Sequence, residues 1–269
     1  MNKKYTAYFN TNKETWNKKV EIHLKSDFYD VAGFLKGKTS LNSYEITELG
    51  NVKNKSLLHL QCHFGLDTLS LSRLGAKCTG IDISNKGIKE AKKLNTKTGL
   101  DAVFIESNVY DISKTVKGKF DIVFASYGVI GWLPNLTSWA QNIANKLNKN
   151  GFFYLIEFHP IVWMYDYLQT PPKLAYSYLN KEVIYEEYKG TYTNSDAKII
   201  SKEYGWNHGL GELVTALTKA GLQIEFLHEF EKSPYNCFPN MEKTKDGMFV
   251  LKELKEKFPL LFSIKATKK

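Results

Sequence analysis

Twenty-eight residues, Leu57 to Ser84 (LLHLQCHFGLDTLSLSRLGAKCTGIDIS), constrain this chain more than any other stretch. Leu57, Leu58 and Leu60 make a short apolar run, a tight turn spans Gln61 to Gly65, and Leu66, Leu69 and Leu74 then recur at helical spacing. Strand, turn and helix are expected in that order. After Gly75 a second short run, Cys78 to Ile83, carries Asp82 twenty-one positions beyond Gln61, close to the roughly 20-residue offset of nucleoside-binding βαβ units. A carboxylate there can accept hydrogen bonds from a ribose diol.

The turn narrows the choice of nucleoside. A diphosphate needs glycines, so that backbone can approach closely and amides at the helix start can face it. Here Gln61 and His63 stand where two of those glycines would be, and a dinucleotide fits poorly. S-adenosylmethionine has a ribose and an adenine but an aminoacyl tail in place of phosphates, and it tolerates bulkier loop residues. The segment resembles the first two motifs of class I methyltransferases, with His59, Gln61, His63 and Gly65 where an acid and three glycines usually stand. The phrase HLQCHFGLDTLS is similar to a bacterial branch of small-molecule-type enzymes of that family, and the resemblance extends from about Trp16 to the C-terminus. It implies an α/β, Rossmann-like, seven-stranded sheet of order 3214576 with strand 7 antiparallel. It also implies S-adenosyl-L-methionine as cofactor, contacted by Gln61, Cys62, His63, Gly65, Asp82 and Ile83.

Four segments are expected: an N-terminal helical cap (1–50), a cofactor-binding core (51–160), a substrate-pocket insertion (161–205) and the C-terminal part of the sheet (206–269). In the cap, Trp16, Val20, His23 and Leu24 fall at helical spacing, and a second helix is expected from Thr39 to Leu49. Phe28, Tyr29 and Phe34 lie between them. They either pack on the core or, as in the enzymes the chain resembles, close over the cofactor, with Tyr29 reaching its aminoacyl end.

Strand three is expected at Ala102 to Ile105, strand four at Asp121 to Ala125 and strand five at Phe152 to Phe158, after a turn at Asn150 and Gly151. Asn108, followed by Val109, resembles the third motif, where an Asp or Asn takes the adenine amino group and an apolar neighbour covers the ring. Asn also favours turns for its own sake. The end of a central strand is where open α/β sheets place ligands, so Ser126 and Tyr127 are expected near the sulfonium. Seven tyrosines crowd Tyr165 to Tyr192, where βα alternation stops; Val183 to Tyr188 and Lys198 to Tyr204 could pair as an added hairpin. A helix from Leu210, strand six at Gln223 to Phe230, a lysine-rich helical stretch and strand seven at Leu260 to Ala266 complete the order. Ser233 to Asn236 reads as a loop.

The net charge of +9 raises the question of nucleic acid, but Arg73 is the only arginine and the lysines are spread along the chain. Reading phosphates and guanine usually takes guanidinium groups, so a solvated lysine surface is the better reading and no nucleic-acid partner is expected. Cys62, Cys78 and Cys237 offer neither an even disulfide set nor a metal-ligand spacing, and no metal is expected. No apolar run of signal-peptide or membrane-spanning length is present, so a cytoplasmic protein without membrane contact is expected.

The expected reaction is methyl transfer to an O, N or S atom of a small molecule. The alternatives are an RNA or protein methyltransferase, for which only charge speaks, and a non-catalytic binder of the cofactor. Such transfer depends mainly on positioning, with a base useful for a protonated nucleophile. His159, just past strand five, and His208, before a helix, are the candidate bases, although such a histidine is more often structural.

Overall fold

A computed structural model describes residues 3–167, 169–255 and 257–269. Its centre is a seven-stranded sheet, and its helices in chain order are α1 (Lys3–Leu24), α2 (Val31–Leu35), α3 (Ser43–Leu49), α4 (Leu66–Arg73), α5 (Asn85–Thr98), α6 (Ile112–Thr115), α7 (Leu136–Lys146) and α8 (Leu210–Lys219). The strands are β1 (Ser56–His59), β2 (Lys77–Asp82), β3 (Val103–Glu106), β4 (Phe120–Ser126) and β5 (Leu147–Phe158). An added hairpin, β6 (Ile184–Lys189) and β7 (Ile200–Gly205), interrupts the series before β8 (Leu222–Phe230) and β9 (Leu261–Lys268). The sheet order is β3-β2-β1-β4-β5-β9-β8. The first five strands run parallel, and β9 lies antiparallel between β5 and β8. With the hairpin set aside, this is the 3214576 order of the Rossmann-like class I methyltransferase fold.

Period-two alternation explains why both faces of the sheet are covered. Leu58, Leu60, Val123, Ala125, Phe153 and Leu155 pack against Trp139 and Ile143 of α7 (Leu136–Lys146) and Leu213 and Leu217 of α8 (Leu210–Lys219). Leu57, Ile122, Phe124, Tyr154 and Ile156 point the other way. They meet Leu66 and Leu69 of α4 (Leu66–Arg73), Ile88, Ala91 and Leu94 of α5 (Asn85–Thr98), and Leu49 of α3 (Ser43–Leu49).

Several elements differ from expectation for local reasons. The N-terminal helix α1 runs Lys3–Leu24, well upstream of Trp16, because its polar residues find partners in the inserted hairpin. The second helix starts at Ser43, since Asn42 and Glu45 form a capping box that fixes its first turn. Strand five begins at Leu147: Asn150 sits at φ 61° as a bulge, and the β4–β5 register jumps between Phe120 and Ile122. The lysine-rich stretch before β9 holds a 3₁₀ turn, Lys252–Leu254, and residue 256 of it lies outside the described residues.

The hairpin and α1 are built together. Asn12 Nδ2 donates to Tyr204 O and its Oδ1 accepts from Tyr204 N–H, both at 2.8 Å, while Thr15 Oγ1 donates to Lys202 O at 2.7 Å. Helical side chains thus satisfy the backbone of strand β7, which would otherwise be an open edge.

Candidate functional site

The loop after β1 keeps the backbone of a glycine-rich turn without the glycines. Gln61, His63 and Gly65 have φ of 53°, 52° and 82°, three alternating residues in the left-handed region. For the two non-glycines this costs of order 1 kcal/mol or more each, and such strain persists only where the surroundings enforce it. Part of the enforcement is visible: Cys62 N–H donates to Ile81 O at 2.8 Å, and Gly65 N–H to Cys62 O at 2.8 Å. Gly65 is further fixed by contact, because a Cβ there would lie 2.5 Å from the Phe104 ring. Cys62 turns its thiol inward beside Gly80, where it donates to His63 O at 3.8 Å. Buried in this loop, Gln61 Oε1 and His63 Nδ1 lack hydrogen-bond partners among the described residues, whereas Gln61 Nε2 donates to Val129 O at 2.9 Å.

Asp82 closes β2 against the same loop. Its Oδ2 accepts from His63 N–H (2.8 Å) and its Oδ1 from Ser84 N–H (2.7 Å). Burial pushes its carboxyl up to about 6, opposed by the N–H groups of Ser84, His63 and Ile83. The carboxylate retains lone-pair capacity for a ligand hydroxyl.

Beyond Asp82 lies a cavity of about 350 Å³, walled by Ile83, Glu106, Ser107 and Asn108 on the sheet side and by Thr6, Phe9, Asn10 and Lys13 of α1. Asn108 Oδ1 accepts from Tyr110 N–H at 3.0 Å, so it does shape the turn, yet its amide also lines the cavity. Val109 packs in the core with Leu58 and Ile112, and the aromatic wall is Phe9 instead. Phe9 lies far from the motifs in sequence, and only the apolar spacing of α1 hinted at it.

An aromatic lid stands over the loop. The Trp16 ring meets His63 edge to face at 5.2 Å and Trp132 at 5.3 Å. His63 Nε2 lies 2.9 Å from His23 Nδ1, and His23 Nε2 lies 2.6 Å from Thr191 Oγ1. Burial holds His23 down to about 3, helped by the charge of Lys19. Tyr29 packs on Phe64 and His63 and shares a hydrogen bond with Tyr192 of the insertion. The Lys19 ammonium is buried among the Trp16, Trp132, Tyr188 and Tyr192 rings, ion-paired with Glu203 and 2.9 Å from Tyr188 Oη. Burial lowers its pKa, and Glu203 opposes this.

At the head of β4, Ser126 Oγ donates to Asp67 Oδ2 at 3.1 Å. Tyr127, at φ 46°, donates from its hydroxyl to Glu45 Oε2 at 2.8 Å. The turn after it is held by Glu157, at the end of β5, whose carboxylate accepts from the N–H groups of Gly128, Val129 and Ile130. Glu45, Asp67 and Glu157 escaped the sequence reading; each is an acid inside or beside an apolar run, which was the available signal.

The structure thus brings Tyr29, Gln61, His63, Gly65, Asp82, Ser126 and Tyr127 around one region, with Ile83 and Asn108 at its cavity end. His159 and His208 are engaged elsewhere. His159 Nδ1 accepts from Ile161 N–H (3.2 Å), capping a 3₁₀ turn, and its Nε2 lies 2.8 Å from Glu229 Oε1. His208 Nε2 faces Leu133 O at 2.7 Å, which makes that nitrogen a donor, and its Nδ1 faces Glu212 Oε2 at 3.1 Å. A base needs a free lone pair on a ring nitrogen; the Ile161 N–H takes that of His159 Nδ1, and Leu133 O makes His208 Nε2 a donor. Among the described residues there is no group of three or more His, Cys, Asp or Glu poised for a metal, and no helix is long and apolar enough to cross a membrane.

Residues 58–153, the span of this loop, Asp82, Asn108 and Tyr127, match a family model described as a methyltransferase domain. A solved S-adenosylmethionine-dependent methyltransferase from Mesorhizobium loti superposes with a TM-score of 0.57 at 16% identity, covering 87% of this chain and all of that one. The matched segment is thus a methyltransferase domain, set in the Rossmann-like fold of the class I methyltransferases. Among curated relatives, an uncharacterised protein of Haemophilus influenzae is 29% identical over 157 residues, covering 54% of this chain and 61% of that protein. A ubiquinone biosynthesis O-methyltransferase of Shewanella pealeana is 22% identical over 135 residues, covering 49% and 57% respectively. The chain therefore spans about three fifths of the length of these relatives.

Proposed function

We propose that this protein transfers a methyl group from S-adenosylmethionine to a small molecule. The observation that carries the reading is the loop from Gln61 to Gly65, held in a strained left-handed conformation with its buried Gln61 Oε1 and His63 Nδ1 unpartnered and its backbone tied to Asp82. Strain and unpartnered polar atoms in one loop fit a ligand-binding turn better than a purely structural one. In this reading Asp82 takes the ribose hydroxyls, Ile83 and Asn108 take the adenine in the cavity under Phe9, and the loop with Tyr29 takes the aminoacyl tail. S-adenosylmethionine supplies an electrophilic methyl on a positively charged sulfur.

The chain's own residues then orient the acceptor and exclude water. Ser126 and Tyr127 stand at the head of β4, and the lid of α1 and the insertion closes the site with Trp16, Trp132 and Tyr192. A small acceptor is supported by this enclosure and by the relatives named as ubiquinone biosynthesis O-methyltransferases. The test is turnover of labelled S-adenosylmethionine against a panel of small phenols, alcohols, amines and thiols. Methylation of one of them is expected. Cofactor binding without turnover on any compound, together with methylation of RNA or protein, would contradict it.

A further inference from the structure

The most unusual group in the molecule outside the cofactor loop is the carboxylate of Glu45. It is fully buried, and among the described residues no cation is a hydrogen-bond partner of it. Its Oε1 accepts from Asn42 N–H (2.8 Å) and Asn42 Nδ2 (3.1 Å), which is the capping of α3. Capping explains only that oxygen. A cap contributes about 1 kcal/mol, whereas burying a carboxylate costs several, so capping alone does not account for its burial. The other oxygen, Oε2, is turned inward onto the Tyr127 hydroxyl.

Tyr127 occupies the head of the central strand, beside the topological switch where open α/β sheets place their ligands. Its own backbone is left-handed, which aims the ring at Glu45 and Tyr235. A continuous run of ring contacts joins Tyr127 to the cofactor loop. Tyr127 meets Tyr235 at 4.9 Å, Tyr235 stacks on Phe28 at 5.3 Å, Phe28 meets Tyr29 at 5.0 Å, and Tyr29 meets His63 at 5.5 Å. Polar contacts follow the same path: Asn42 Nδ2 donates to Tyr235 Oη at 3.0 Å, and Asp67, in the first turn after Gly65, binds both Ser40 and Ser126.

We propose that Glu45 receives, through the Tyr127 hydroxyl, the proton released when a hydroxyl on a planar acceptor is methylated at the head of β4. This rests on the function proposed above. The acceptor oxygen forms its bond to the methyl carbon as the carbon–sulfur bond breaks and its electron pair stays on sulfur. The acceptor's proton passes to the Tyr127 oxygen while the Tyr127 proton passes to Glu45 Oε2. Charge and atoms balance with no further reactant. Glu45 is therefore a positioning and proton-storing residue acting through Tyr127, and the Phe158 and Tyr235 rings against Tyr127 suit a flat acceptor. The groups facing Glu45 are Asp67 on α4, Tyr127 after β4, Tyr154 on β5 and Tyr235 in the loop after β8; burial, with Asp67 adding to it, brings the carboxyl up to about 7.

The test is an infrared titration of the carboxyl band lost in Glu45→Gln, recorded with S-adenosylhomocysteine and with S-adenosylmethionine bound. With the neutral sulfur we expect a midpoint near 7. With the positively charged sulfur we expect it to fall by roughly one pH unit, because a cation nearby favours the carboxylate. Tyr127→Phe should raise the midpoint by removing a donor to the ionised form, and it serves for assignment if Glu45→Gln does not fold. A midpoint in the ordinary carboxylate range, or one indifferent to the charge on sulfur, overturns the proposal and leaves cofactor binding intact. Failure of S-adenosylhomocysteine to bind in calorimetry removes instead the function on which the proposal rests.

Discussion

Asp82 Oδ2 accepts the backbone N–H of His63 at 2.8 Å, so the acid that ends the second strand also fixes the loop that follows the first. One carboxylate therefore shapes the loop and, in the proposed function, also holds the ribose. The coupling explains how Gln61 and His63 can hold a conformation that glycine would adopt without strain.

That strain is measurable. His63→Gly and His63→Ala both lose the contact with His23, but only alanine retains a Cβ at φ 52°. We expect the glycine variant to be more stable than the alanine variant by about 1 kcal/mol in urea unfolding. Equal stabilities would mean that the loop relaxes once the imidazole is gone.

Cofactor affinity should depend on the charge of Asp82. Its carboxyl sits at about 6, raised by burial, so it is ionised at neutral pH and protonated below. Affinity for S-adenosylhomocysteine is expected to fall about tenfold from pH 7 to pH 5, and Asp82→Asn should bind weakly at both. A variant with wild-type affinity would assign the ribose to other residues.

The Lys19–Glu203 pair fastens the lid to the insertion. Lys19→Met leaves a buried carboxylate without its cation and should cost about 3–5 kcal/mol, most of it regained in Lys19→Met/Glu203→Leu. A single-variant cost below about 1 kcal/mol would mean that the pair is solvated and that the lid stands without it.

Glu45 gives a stability change of opposite sign to the usual surface acid. Its ordinary value is 4.5, and burial raises it to about 7 in the folded protein. Between these values the folded state holds the extra proton, so this contribution is complete below pH 4.5 and is lost as pH rises through 7. Glu45→Gln should gain on the wild type by on the order of 3 kcal/mol between pH 5 and pH 8 in urea unfolding. A constant difference across that range would place Glu45 in an ordinary solvated environment.

What the sequence made legible was local or periodic. The Asp82 offset and the short runs of β4 and β5 depend on neighbours a few residues away, and the sheet order came with the resemblance to class I methyltransferases. The hairpin was legible to within a residue or two, at Ile184–Lys189 and Ile200–Gly205. The rest depends on partners distant in the chain. Asn12 meets Tyr204, Lys19 meets Glu203, Tyr29 meets Tyr192, and Tyr127 meets Glu45, pairings that no spacing encodes. The loop at Ser233 behaves likewise: it follows β8 in sequence, yet Tyr235 lies against Tyr127. His159 and His208 drew attention through residue type and strand position, while their actual neighbours, Glu229 and Leu133, come from other elements.

The most direct measurement is calorimetric titration of the purified protein with S-adenosylhomocysteine. We expect one site per chain, saturable, with affinity reduced about tenfold or more in Asp82→Ala, since charge-assisted hydrogen bonds are lost. No heat of binding up to about 1 mM ligand, a bound free energy weaker than about −4 kcal/mol, would contradict the assignment of the loop between Gln61 and Gly65 as a cofactor site.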